Sequence, residues 1–210
     1  EHRGSFAGLM EKIPYLKDLG INAVLLLPCY EFDEIQAVQK PHGIPAGEVS
    51  AVRTAEDEAK QKSTVSKNDQ VKLNYWGYTD GYTFAPKASY AYSNKIGAEV
   101  DEFKYMVREL HKNGIEISME FFFPVGTNPK EILDCLHYWV MEYHIDGIHA
   151  NCEEAVMRMI QTDNLLATTK IFTYSFAADT DFYNAWGERR NLANFNDDFM
   201  VAARRFIKGD

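Results

Sequence analysis

Apolar and polar positions along the chain repeat one unit: an amphipathic stretch, then a glycine, then a short run of apolar residues. In the first unit an apolar stripe with helical spacing closes at Gly20, and the apolar run 21–27 follows and ends at Pro28. This pattern predicts a helix, a stop and a buried strand. The stripe consists of Leu9, Ile13, Leu16 and Leu19.

The same unit recurs twice more, and the elements predicted after it are shorter. An amphipathic stretch over 101–113 closes at Gly114, and the apolar run 115–123 predicts the next strand. Asn128 is a helix N-cap candidate with Pro129 in the first helical position, and the helix it begins leads to a strand over 148–152.

Shorter elements follow toward the end of the chain. A helix over 153–160 and a strand over 171–176 are predicted, and a last helix begins near Asn196 with Phe199, Ala203 and Phe206 facing inward. Near-continuous apolar strands separated by helices indicate parallel pairing, so the fold class is α/β. Four strands are predicted with a clear pattern, which leaves a doubly wound sheet or part of a (β/α)8 barrel of about 250 residues.

One segment, residues 31–72, does not follow this pattern of helices and strands. It has little periodicity, four Pro and Gly residues between 41 and 47, and a charged and hydroxylated run over 53–72. A segment of this length inside a compact domain is typical of an extended surface loop. One helical turn is predicted near residues 55–62.

The composition limits the classes of binding partner and the cellular compartment that are expected. The chain has 210 residues, 46% of them hydrophobic, and a formal net charge of −9, so nucleic acid and anionic membranes are poor partners. No apolar run reaches the roughly 18 residues of a membrane span. The cysteines, Cys29, Cys135 and Cys152, form neither a disulfide framework nor a metal knuckle, which predicts a reducing, cytoplasmic location.

Two blocks of the sequence resemble the isoamylase and glycogen-debranching type of glycoside hydrolase family 13, the α-amylase family. The first runs from Gly4 through residues 19–28 to Glu34, and the second is Asn-Tyr-Trp-Gly-Tyr at 74–78 followed by Phe-Ala-Pro-Lys-Ala-Ser-Tyr-Ala at 84–91. The resemblance implies a TIM barrel that acts on α-glucans of the starch and glycogen class. It implies that residues 1–210 are one partial barrel domain with strands two to six, and that strands one, seven and eight belong to the remainder of a larger chain.

The family's retaining mechanism needs an Asp nucleophile after strand four and a Glu acid/base after strand five, because two carboxylates must flank the glycosidic bond. Here Asn151 stands at the nucleophile position, His149 replaces the arginine before it, and Tyr174 stands at the acid/base position. No Glu lies between residues 155 and 187. Glu120 occupies the aspartate position of the third-strand motif. The resemblance therefore implies no catalytic residue at the family positions.

Four other residues are candidates for sugar binding or for a new acid/base pair. Tyr78 matches the family tyrosine that stacks on a sugar. Trp76 beside it is a second binding candidate, although Trp76 and Tyr75 can instead pack the loop against the barrel rim. Glu120 and His149 on neighbouring strands form either a buried polar pair or a new acid/base pair. No metal site and no cofactor are predicted.

The function predicted from these residues is a glycosidase-like pseudoenzyme domain of α-glucan metabolism that retains carbohydrate binding. Two alternatives remain open. The first is an active glycoside hydrolase or transglycosidase that uses carboxylates at other positions or outside residues 1–210. The second is a structural or partner-binding module that buries the same rim against another protein.

Overall fold

The computed structural model describes residues 2–37, 71–174 and 191–209. The strands, in chain order, are β1 (Ala23–Leu26), β2 (Tyr30–Phe32), β3 (Ile35–Ala37), β4 (Val71–Leu73), β5 (Gly81–Pro86), β6 (Glu116–Phe121), β7 (Gly147–Ala150), β8 (Lys170–Thr173) and β9 (Leu192–Asn194). The helices are α1 (Phe6–Glu11), α2 (Ile13–Asp18), α3 (Ala98–Lys112), α4 (Pro129–Tyr143), α5 (Glu154–Thr162) and α6 (Asp197–Lys208), with a short 3-10 turn over Ala88–Tyr90.

Five parallel strands form the main sheet, in the order β1-β6-β7-β8-β9. Successive strands are neighbours and helices α3, α4 and α5 connect them, as in the wall of a (β/α)8 barrel. The predicted α/β class and the run of strands two to six are therefore confirmed. β2 and β5 form a separate antiparallel pair.

The helices follow from local sequence signals. The Asn128 side chain caps α4 by accepting a hydrogen bond from the Lys130 backbone N–H, and Pro129 occupies the first turn, where its missing N–H costs nothing. α3 ends before Gly114, which takes a left-handed conformation. The apolar faces of α3 and α4 pack on the sheet, and Phe103, Leu136 and Trp139 are fully buried there.

The first predicted helix is two helices. Pro14 lies in the first turn of α2 and has no N–H to donate to the Met10 carbonyl, so α1 ends before it and α2 begins anew. Leu19, at the end of the predicted stripe, is exposed. The strand predicted over 21–27 is also shorter and only partly buried, because β1 is an outer strand of the main sheet and Leu25 faces solvent.

The inward packing predicted for the last helix is wrong. α6 begins at the predicted cap, where the Asn196 side chain accepts from the Phe199 N–H, but it buries no residue. Phe199 is 70% exposed and Phe206 is 87% exposed. The amphipathic pattern correctly predicted the helix, whereas burial requires a neighbouring element that the described residues do not provide.

Both ends of the segment 31–72 contain strands. β2 overlaps its beginning, and residues 33–75 form a separate compact unit in which β3 pairs antiparallel with β4, with Ile35 opposite Leu73. The extended loop and the helical turn predicted near 55–62 lie outside the described residues. In the part of the chain that is described, no helix is both long and apolar enough to cross a membrane.

Candidate functional site

The predicted site residues lie at the carboxyl ends of three neighbouring strands. Glu120 in β6 is directly opposite His149 in β7, and Asn151 and Tyr174 immediately follow β7 and β8. Parallel strands point their carboxyl ends to one edge of the sheet, which is the catalytic face of (β/α)8 barrels. The topology therefore brings these four residues to one face.

Glu120 bridges an aromatic side chain and an imidazole. The Tyr78 hydroxyl donates to Glu120 Oε2 at 3.1 Å, and His149 Nδ1 lies 3.4 Å from Glu120 Oε1. His149 is 1% exposed, and among the described residues neither of its ring nitrogens has an aligned hydrogen-bond partner. The Glu120–His149 contact is thus a close polar approach without an aligned hydrogen bond, and Tyr78 makes the directional bond to the carboxylate.

The amide of Asn151 has a fixed orientation. Its Oδ1 accepts from the Thr173 hydroxyl at 3.1 Å and from the Tyr174 backbone N–H at 3.1 Å. A backbone N–H is always a donor, so the atom facing it must be the amide oxygen. Both hydrogen bonds engage the amide oxygen, and the Nδ2 amino group points away from these two donors.

Tyr174 belongs to an aromatic cluster. Its ring stacks on Phe195, with 4.9 Å between centroids and 28° between planes, and its centroid lies 5.1 Å from that of His149. Phe195 follows β9 and also meets the His149 ring edge-on, at 5.0 Å. The rings of Tyr174, Phe195 and His149 therefore contact one another at the ends of three neighbouring strands.

Tyr78 and Trp76 present aromatic surface on the same rim. Tyr78 is 46% exposed and tilts against Phe122, and Trp76 is exposed. Partial burial, and then the negative charge and hydrogen bond of Glu120, raise the pKa of Tyr78 to about 12. The phenol therefore stays neutral at physiological pH and keeps donating to Glu120.

Replacing Glu120 with Gln is expected to lower the Tyr78 pKa from about 12, because the amide keeps an acceptor but removes the charge. Spectrophotometric titration of phenolate absorbance measures the shift, and Tyr78→Phe identifies which component belongs to Tyr78. Because folding raises this pKa, Tyr78 contributes stability that is present below about pH 10 and is lost as the pH rises toward the folded-state value.

The matched control is Glu116→Gln, which removes a carboxylate from the other end of the same strand, where Glu116 pairs with Lys170. This variant is expected to leave the Tyr78 titration unchanged. Overlapping titration curves for the wild type and Glu120→Gln would contradict the assignment of Glu120 as the hydrogen-bonded neighbour.

Two other titratable residues near these strands, Asp146 and Cys152, have structural roles. Asp146 lies before β7, at the opposite end from His149, where its Oδ2 accepts from the Ile117 N–H at 2.8 Å and contacts His111 Nε2 at 2.7 Å. Burial raises the pKa of Cys152 to about 11, so its thiol is protonated and not nucleophilic at neutral pH. In residues 2–37, 71–174 and 191–209, no cluster of three His, Cys, Asp or Glu side chains could hold a metal ion.

A cavity of about 440 Å³ opens beside Asn151, between the loops that follow β6 and β7. Its size lies within the ordinary range of small-molecule sites. Phe123, Pro124 and Val125 give it an apolar wall, and Asn151 and Glu153 give it polar groups. A larger cavity of about 720 Å³ lies away from the strand ends, against α3 and the end of α4, where Lys104 is already paired with Glu142.

Sequence reasoning missed Phe195 and Thr173. Phe195 reaches the site because β9 pairs with β8, and the local sequence pattern indicated no strand over residues 192–194. Thr173 was predicted within a strand, but its bond to Asn151 depends on the register between β7 and β8. The position of Phe195 directly after a strand was the signal that could have placed it on this rim.

The parallel sheet and its covering helices define a segment of (β/α)8-barrel type, with polar residues at the carboxyl ends of its strands. The catalytic module of the multi-modular glycogen-degrading pneumococcal virulence factor SpuA superposes on it with a TM-score of 0.60 at 19% identity, over 92% of this chain and 32% of that one. This likeness shows the fold. No family model matches the chain.

Two curated plant proteins align with the whole chain. Isoamylase 1, chloroplastic, of Arabidopsis thaliana is 30% identical, and the match covers 100% of this chain and 34% of that protein. Isoamylase SU1, chloroplastic, of Zea mays is 26% identical, with 100% and 33% covered. The resemblance to the isoamylase and debranching type of glycoside hydrolase family 13 is therefore confirmed over the whole chain. It spans about a third of the length of these relatives.

Proposed function

We propose that this domain binds α-glucan chains at the carboxyl ends of its strands and does not hydrolyse them. The observation that carries the proposal is the Asn151 amide, whose oxygen accepts hydrogen bonds from Thr173 and Tyr174 at the position of the family nucleophile. An amide oxygen is neutral and a poor nucleophile, and here it is already engaged by the protein.

Retaining hydrolysis requires a second carboxyl group about 5–5.5 Å from the first, to protonate the leaving oxygen. Tyr174 stands at that position and is stacked on Phe195. Glu120 is a carboxylate on this face, but Tyr78 and His149 already contact it. Glu153 lines the cavity beside Asn151, but the two positions at which the family carries its carboxylate pair are held by Asn151 and Tyr174.

Carbohydrate binding rests on surfaces that need no carboxylate pair. The exposed faces of Tyr78 and Trp76 suit the apolar faces of sugar rings. Glu120 holds the Tyr78 ring in place through its hydroxyl, so less conformational freedom is lost on binding. Asn151 and Glu153 beside the cavity offer a donor and an acceptor for sugar hydroxyls.

A fluorescence titration of the full-length protein with linear maltooligosaccharides tests binding. We expect Trp76 emission to change on saturation, and Tyr78→Ala to weaken binding about tenfold, the effect of losing roughly 1.4 kcal/mol of aromatic contact. Tyr15→Ala, which removes an exposed tyrosine from α2, serves as the control and should leave the affinity unchanged. A titration with no response would contradict the proposal.

A reducing-end assay at high protein load, with linear and branched α-glucans, tests the absence of hydrolysis. No steady release is expected from the full-length protein. Release that disappears in Glu120→Gln would instead favour an enzyme with carboxylates at new positions, and would overturn the proposal.

Three further expectations remain predictions. The remainder of a longer chain is the expected partner, and nucleic acid is not. The cytoplasmic location rests on the three cysteines, which are all free. The two plant relatives carry the word chloroplastic in their names.

A further inference from the structure

We propose that Tyr174 and Phe195 form a second sugar-stacking platform, placed where the family carries its catalytic acid. The inference rests on the proposed glucan binding and deepens it, because it assigns a binding role to a substituted catalytic position. The ligand is a glucosyl ring of the same α-glucan chain.

The first reason is the exposure of a stacked aromatic pair. Tyr174 is 57% exposed and Phe195 is 40% exposed, although both rings lie beside the buried His149. Their planes differ by only 28° at 4.9 Å, so each ring covers one face of the other. Within residues 2–37, 71–174 and 191–209, the remaining surface of both rings is exposed and suits a planar, partly apolar ligand.

The second reason is that the platform is held in place before any ligand arrives. The Tyr174 backbone N–H donates to Asn151 Oδ1, and the His149 ring supports both aromatic rings from the buried side. Phe172 in β8 also packs near Phe195, at 6.4 Å. A ring that is already positioned loses little side-chain entropy on binding, which favours affinity.

The third reason is continuity with the Tyr78 site. The phenol of Tyr174 is close enough to Tyr78 to contribute to its raised pKa. Glu120 bonds to Tyr78 and contacts His149, which in turn touches Tyr174. Two aromatic surfaces therefore flank a rim of polar groups, an arrangement that matches a ligand with apolar ring faces and peripheral hydroxyls.

The size of the surface favours a sugar over a protein partner. Aromatic side chains bury about 150–250 Å² each, so two of them at roughly half exposure offer about 200 Å². A stable protein interface needs about 800 Å² from each partner. The platform is thus large enough for one or two sugar rings and too small to hold a protein by itself.

Isothermal titration of the full-length protein with maltoheptaose tests the platform. Tyr174→Ala and Phe195→Ala are each expected to weaken binding about fivefold to tenfold. Tyr174→Phe, which keeps the ring, should stay within about twofold of the wild type. Tyr174→Leu keeps apolar bulk without an aromatic face and should bind as weakly as Tyr174→Ala, which separates stacking from simple packing.

Thermal unfolding of each variant establishes that the fold is retained, and Tyr15→Ala again serves as the exposed-tyrosine control. If maltoheptaose binds and Tyr78→Ala weakens it, but Tyr174→Ala and Phe195→Ala do not, the platform is overturned while glucan binding stands. A wild type that binds no maltoheptaose overturns both. A change of oligomeric state with unchanged affinity would assign the rings to a protein contact and overturn the platform.

Discussion

Replacing Trp139 with alanine is expected to lower the free energy of unfolding by about 3–5 kcal/mol, the usual range for removing a large buried aromatic side chain. Trp139 is fully buried in α4 and packs edge-on against Phe103 at 5.2 Å and Phe121 at 6.0 Å. Its indole N–H also donates to the Thr83 carbonyl at 2.6 Å. The substitution removes contacts to α3, to β6 and to β5 together.

Chemical denaturation of the full-length protein, followed by circular dichroism, measures this loss. Trp139→Phe separates the two contributions, because it keeps an aromatic ring but removes the donor to Thr83, and it should cost less than alanine. Met141→Ala, at an exposed position of the same helix, is the matched control and should change stability by less than about 0.5 kcal/mol. A Trp139→Ala loss below about 1 kcal/mol would contradict the packing described.

The alternation of helices and parallel strands was predictable because both elements carry strong local signals. The strand predicted over 115–123 is β6 over Glu116–Phe121, and the helix predicted to begin at Pro129 is α4. Apolar stripes, glycine stops and a proline in the first helical turn act within a few residues. Such signals need no knowledge of distant partners.

Burial was not predictable in the same way. Leu25 belongs to an apolar run that is typical of a buried strand, yet β1 is an outer strand of the sheet and Leu25 is exposed. Phe199 and Phe206 lie on a well-formed amphipathic helix and face solvent. A periodic pattern shows which face would be buried, whereas the covering element must come from elsewhere.

The candidate site shows the same division. The pairing of Glu120 with His149 could be predicted because the two residues lie on neighbouring parallel strands, and in the register of β6 with β7 they are directly opposite. The Tyr78–Glu120 hydrogen bond joins residues 42 positions apart, and no local pattern predicts it. The Tyr174–Phe195 stack likewise depends on the register of β8 with β9.

Replacing Gly77 with alanine is expected to destabilise the fold by about 2–5 kcal/mol and to disturb the proposed glucan site at the same time. Gly77 has φ of 73°, a left-handed conformation that costs other residues about 1–2 kcal/mol. An added Cβ would also lie 2.8 Å from Pro28 Cβ and 2.9 Å from Phe32 Cε1, so the chain between Trp76 and Tyr78 must shift.

The matched control is Gly114→Ala, because Gly114 has φ of 70° but no atom within 4 Å of an added Cβ. It should show only the conformational cost, about 1–2 kcal/mol, and leave maltooligosaccharide affinity unchanged. Gly77→Ala should add the cost of the clash and weaken affinity about as much as Tyr78→Ala, because the same ring is displaced. Denaturation and titration of the two variants side by side measure both effects. Equal stability losses would show that Pro28 and Phe32 yield to the new Cβ, and unchanged glucan affinity would show that the position of Tyr78 does not depend on Gly77.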